Sequence, residues 1–201
     1  MNWTRIADTK LAIEAWKILD ESLNDYHNGW HVWQMYEYLQ KTNEPYDECL
    51  DWAVLFHDIV YDDQPAKEYR SAVMFSEMKE KYDGCNLNLV DEGHVAALIM
   101  STETHSVVYP SSSPVIRADL HALTNPLNVI YNYMAIMRES MWLYKIDEKT
   151  FADNNIKFMG GLYERVEKNM EKDPNHREFY KEVKRGIVST INLSRIIKGD
   201  L

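Results

Sequence analysis

The run Trp52-Ala53-Val54-Leu55-Phe56-His57-Asp58-Ile59-Val60-Tyr61 is apolar at every position but two adjacent ones, and it constrains the fold more tightly than any other stretch of the chain. A helix of this composition is apolar all round and must be buried on most of its faces. His57 and Asp58 then go inside with it. A carboxylate left unpaired in an apolar interior costs several kcal/mol, or is neutralised by a raised pKa. A cation or a set of hydrogen-bond donors is therefore expected against Asp58.

Elsewhere apolar residues recur at helical spacing, and strand-like alternation never runs for long, so the chain reads as an all-α helical bundle. Leu11, Ile13, Ala15, Trp16, Ile18 and Leu19 form the apolar stripe of a first helix over Ala7 to Leu23. A second runs from about Asn28 to Gln40 and is ended by Thr42-Asn43-Glu44-Pro45, and the third covers Glu48 to Tyr61. Further helices are expected at 66–82, 88–103, 114–123, 126–145, 153–171 and 175–197. Tyr109-Pro110-Ser111-Ser112-Ser113-Pro114 reads as a surface loop in which Ser112 or Ser113 caps the next helix. No repeat or long linker divides the 201 residues, which points to one domain over 1–201.

The formal charge of −10 argues against a protein that coats nucleic acid, because such binding rests on many Lys and Arg residues at phosphates. A small anionic ligand stays compatible with it. Apolar runs fall short of the roughly 18–20 residues of a membrane span, and Met1 to Ala7 lacks the pattern of a secretion signal. Two cysteines, Cys49 and Cys85, cannot staple a secreted framework, so a soluble cytoplasmic protein is expected. Gly160-Gly161 lacks the surroundings of a phosphate-cradling loop and suggests a close helix crossing or a break.

Two further polar intrusions resemble the first. His27 and His31 stand four residues apart in Tyr26-His27-Asn28-Gly29-Trp30-His31-Val32-Trp33, a spacing that puts side chains on one helical face. Asp119 interrupts the apolar stripe of Val115 to Leu123. Imidazoles and carboxylates from three helices make a mixed nitrogen and oxygen set suited to a divalent first-row ion. Helical bundles build metal sites from inward-facing side chains of this kind.

The order His31, His57-Asp58, Asp119 resembles the ligand signature of the HD-domain metal-dependent phosphohydrolases. Tyr26-His27-Asn28, Phe56 through Asp62, Glu68 with Ser71-Ala72, Thr102 with His105, Ala118-Asp119-Leu120, and Tyr133 with Arg138 are similar to one group of predicted HD phosphohydrolases. Glu182, Arg185 and Asn192 give a looser echo. The chain departs from that group at Lys67, where Asn is usual, and over 145–175. The resemblance implies that His31, His57, Asp58 and Asp119 ligate one divalent ion, of the Mn, Co, Ni, Fe, Zn or Mg class. It also implies hydrolysis of a phosphate ester or anhydride, of a nucleotide for preference, by metal-activated water.

Within that scheme Asp62 is expected to orient the water, with Glu68 as a second candidate. His27, His105 and Arg138 are expected to meet substrate, since a guanidinium fork suits phosphate. Arg138 stands ahead of Arg117 and Arg70 because the resemblance includes it, and a solvated helix face is expected of those two. Trp30 and Trp33 flank His31, and core packing accounts for them better than a stacked base. Two alternatives stay open: an HD-fold di-iron oxygenase that uses the spare histidines, and a nucleotide-binding module without catalysis.

Overall fold

The computed structural model describes residues 5–82 and 90–200. Cys85 and positions 88 and 89 of the expected 88–103 helix lie outside the described residues. Within the described residues the regular structure is entirely helical, as the apolar spacing predicts. The chain divides into two compact units, Met1–Glu103 and Thr104–Leu201.

In the first unit α1 spans Lys10–Asp20, α2 Gly29–Lys41, α3 Glu48–Phe56, α4 Lys67–Tyr82 and α5 Glu92–Thr102. Side-chain oxygens start several of them by accepting orphan N–H groups. Thr9 caps Ala12, Asn28 caps Trp30, Asp47 caps Cys49 and Leu50, and Asp91 caps His94. Leu50 through Phe56 are all buried, which is the all-round burial demanded by the composition of α3. Trp52, Phe56 and Phe75 pack with ring centroids 5.1 to 6.1 Å apart.

The sequence reading carries the third helix through Tyr61, whereas α3 stops at Phe56. The His57 N–H closes the last regular turn onto the Ala53 carbonyl at 2.9 Å, and the Ile59 N–H reaches only three residues back, to Phe56 at 3.2 Å. Side chains from elsewhere then take over the freed backbone groups. The Val60 N–H donates to Ser71 Oγ at 3.2 Å, and Asn24 Nδ2 donates to the Tyr61 carbonyl at 3.0 Å. His57 and Asp58 thus stand in a buried turn rather than inside a helix.

The second unit contains α6 (Ser113–Leu120), α7 (Pro126–Tyr144), α8 (Glu148–Lys172) and α9 (Arg177–Lys198), with short 3-10 turns at Pro110–Ser112, His121–Thr124 and Pro174–His176. α8 begins five residues before the expected 153, where Asp147 caps Thr150. Helices α8 and α9 pack along one another, and α9 also packs on the turn after α6. That second contact needs Gly186, because a Cβ there would drive into the Leu123 carbonyl. Gly160 and Gly161 lie inside an uninterrupted α8, and a Cβ on Gly160 would meet nothing within 4 Å, so neither a break nor a tight crossing occurs there. Ser112 is fully buried rather than on a surface loop, and its hydroxyl binds back to Tyr109 instead of capping α6. Among the described residues, no helix is long and apolar enough to cross a membrane.

Candidate metal centre

Three polar side chains of the first unit converge in an apolar setting. His31, in the first turn of α2, and His57 are each 1% exposed. Their Nε2 atoms lie 3.3 Å apart, and Asp58 Oδ2 is 2.9 Å from that of His57 and 3.9 Å from that of His31. Two of these groups, His31 and His57, belong to a cluster whose ligand atoms could hold a metal ion.

The backbone fixes which nitrogen of His57 carries the proton. His57 Nδ1 sits 2.9 Å from the Val54 carbonyl, which can only accept, so Nδ1 is the donor. In the neutral ring Nε2 then turns its lone pair toward the Asp58 carboxylate, where two acceptors would face each other. A cation or an added proton resolves that conflict. Donor atoms about 2.1 Å from one ion stand roughly 3 to 3.5 Å apart, which spans the His57 pairing with His31 and lies close to the His57 spacing to Asp58. A ring whose far nitrogen is held by a backbone carbonyl is also the usual arrangement for a metal-binding histidine. The donor set therefore fits a divalent ion.

His27 precedes the Asn28 cap and stands at the edge of the cluster, its Nε2 4.0 Å from Asp58 Oδ2. Its ring stacks on Tyr61 with centroids 3.5 Å apart and planes 11° from parallel. Lys67 Nζ lies 3.6 Å from the centre of the same Tyr61 ring. One face cannot hold both groups at those distances, so His27 and Lys67 cover opposite faces. Tyr61 links the histidine cluster to the first residue of α4.

In the second unit His105 and Asp119 form a pair, Nε2 to Oδ2 3.1 Å. His105 has φ of 51°, a left-handed conformation that costs a side-chain-bearing residue energy unless its surroundings hold it. Asn169 of α8 holds it from both sides. Its amide donates to the His105 carbonyl at 2.8 Å, and its oxygen accepts the Val107 N–H at 2.8 Å. Sequence reasoning missed Asn169, though an asparagine on the buried stripe of α8 is a signal of this kind. It missed Asn24 as well.

Other expected site residues have different surroundings. Asp62 is half-exposed and holds Arg70 in a two-pronged pair at 2.6 and 2.9 Å. The Arg70 guanidinium pulls its carboxyl down to about 2, which makes Asp62 a poor proton acceptor and speaks against the water-orienting role. Glu68 occupies the first turn of α4, half-buried. Arg138 lies on the exposed side of α7.

Arg117, read from the sequence as a solvated residue, is 1% exposed and paired with Asp173 at 2.9 Å. Ser113, His176 and Tyr180 complete this knot around the Asp173 carboxylate. Trp30 is 61% exposed and stacks on Trp33, so core packing does not explain it.

Compared with protein-family models, with curated proteins and with solved structures, the chain matches none.

Proposed function

We propose that this protein is a metal-dependent phosphohydrolase acting on a phosphate ester or anhydride, with a nucleotide as the preferred substrate class. His31, His57, Asp58 and Asp119 are its ligands to one divalent ion. The observation that carries the proposal is the His57 ring, which its bond to Val54 turns so that a lone pair faces the buried Asp58 carboxylate. The resemblance of His31, His57-Asp58 and Asp119 to the HD signature supports the same set. When bound, the ion supplies Lewis acidity and makes a ligated water acidic enough to attack at neutral pH.

The chain's own groups do the rest. The oxygen of water bonds to phosphorus, the bond from phosphorus to the leaving oxygen breaks, and Glu68 takes the water proton. His27 donates to a phosphoryl oxygen from the edge of the cluster, and His105 binds the substrate. A second reading, an oxygenase with two irons, is favoured by one observation, the additional His105–Asp119 pair.

The test begins with metal-stripped protein titrated with Mn, Co, Ni, Fe, Zn and Mg, and with metal content measured per chain. Nucleotides and generic phosphate esters are then screened for released phosphate. One ion per chain and turnover lost in Asp58→Ala are expected. Turnover that survives Asp58→Ala overturns the proposal, two irons with oxygen-dependent turnover favour the oxygenase, and an intact nucleotide after prolonged incubation favours a binding module.

A further inference from the structure

Helix α7 is apolar on both of its sides. Val129, Tyr133 and Met137 face the interior of the second unit, where Tyr133 and Met137 pack with Phe151. Leu127, Ile130, Tyr131, Met134 and Trp142 face outward and are 42% to 77% exposed. Arg138 and Glu139 are the charged residues of this helix, and Glu139 is buried. A helix that is apolar all round belongs inside, and one that leaves a continuous apolar stripe on the surface marks a contact face.

We propose that this stripe joins two copies of the chain across a two-fold axis, with α7 packed antiparallel on α7 of the partner subunit. The order of residues along the stripe supports a second copy over an unrelated partner. With the axis between positions 134 and 135, Leu127 meets Trp142 of the partner subunit, Tyr131 meets its Arg138, and the Met134 side chains meet near the axis. Each copy thereby places a guanidinium against a tyrosine ring, an attractive pairing made twice. A parallel arrangement would set Arg138 against Arg138.

The area agrees. Large side chains carry roughly 150–250 Å² each, so these five expose on the order of 600 Å² per copy before Arg138 is added. A stable interface takes about 800 Å² from each partner. The proposal does not depend on the metal reading.

The test is the solution mass of the full chain by light scattering and sedimentation between 1 and 100 µM. A dimer is expected for the wild type. Met134→Glu should raise the dimer dissociation constant at least a hundredfold with helical content unchanged. Val188→Glu, an exposed site on α9, should leave the dimer intact. A conservative variant guards against misfolding: Met134→Cys, in a background of Cys49→Ser and Cys85→Ser, should form an intermolecular disulfide on mild oxidation, and Val188→Cys should not. A monomeric wild type at 100 µM, a dimer indifferent to Met134→Glu, or no crosslink at Met134→Cys overturns the proposal.

Discussion

The two units bury charge in opposite ways. In the second, Asp173 is answered from within the protein: Arg117 reaches it from α6, and Ser113, His176 and Tyr180 bring donors to its oxygens. Burial alone would raise the Asp173 carboxyl, but these partners outweigh it and hold the group below the usual carboxylate range. In the first, Asp58 is surrounded by imidazoles, at 2.9, 3.9 and 4.0 Å from His57, His31 and His27. Arginine carries its charge permanently, so the knot is complete as folded. Imidazole is charged only when protonated, and as a lone-pair donor it suits an imported cation. Similar residue types thus build a closed knot in one unit and, in the other, a set of donors that could hold a cation.

The sharpest way to break this comparison is Asp58→Ala. Metal uptake should fall from about one ion per chain to none, and added metal, which is expected to raise the melting temperature of the wild type, should no longer do so. A thermal shift that persists would place the ion elsewhere.

Arg117→Ala comes next. It strands Asp173 in a mostly buried site and should cost about 3–5 kcal/mol in urea unfolding. If the two kinds of buried charge differ as argued, this variant should still be stabilised by metal, from a lower starting point. A loss under 1 kcal/mol would mean that the knot is not holding α6.

Asp51 offers a third test, since it is fully buried in the first unit without the imidazoles of the cluster. Desolvation lifts its carboxyl to about 6, partly opposed by the Tyr36 and Tyr46 hydroxyls. The folded state therefore holds the proton more tightly than the unfolded chain. Stability should be fully present near pH 4, decline as pH rises through about 6, and level off above it. Asp51→Asn should remove this slope and gain about 2–3 kcal/mol at pH 7.5, with no difference near pH 4. Equal unfolding free energies of the two proteins at both pH values would refute the assignment.

The smallest effect is expected of Arg70→Ala. The Asp62–Arg70 pair is exposed and screened, so the unfolding midpoint should stay within error. Turnover, once a substrate is found, should change little if Asp62 is not the base.

Much of the helical order is legible in the sequence because apolar spacing and capping residues are local signals. Asn28 and Asp47 stand where α2 and α3 begin. The end of α3 was not legible, because it depends on Ser71 and Asn24, whose bonds to Val60 and Tyr61 are made across 11 and 37 residues. The apolar run continues through Tyr61, and periodicity alone cannot reveal that the backbone turns away. Burial of His57 and Asp58 followed directly from composition. The fate of the arginines did not, since Asp173, which claims Arg117, lies 56 positions further on. Asp62 was read from its proximity to the doublet, and the sequence does not reveal that Arg70, eight residues on, engages its oxygens.

Beyond the last backbone bonds of α3, the turn that carries His57 and Asp58 is held by hydrogen bonds to two uncharged side chains. Its shape can therefore be adjusted at Ser71 or Asn24, well away from the imidazoles, by changes as small as one hydroxyl. Any grip on an ion would then be a tunable property of the scaffold, open to gradual refinement without exchange of a single donor.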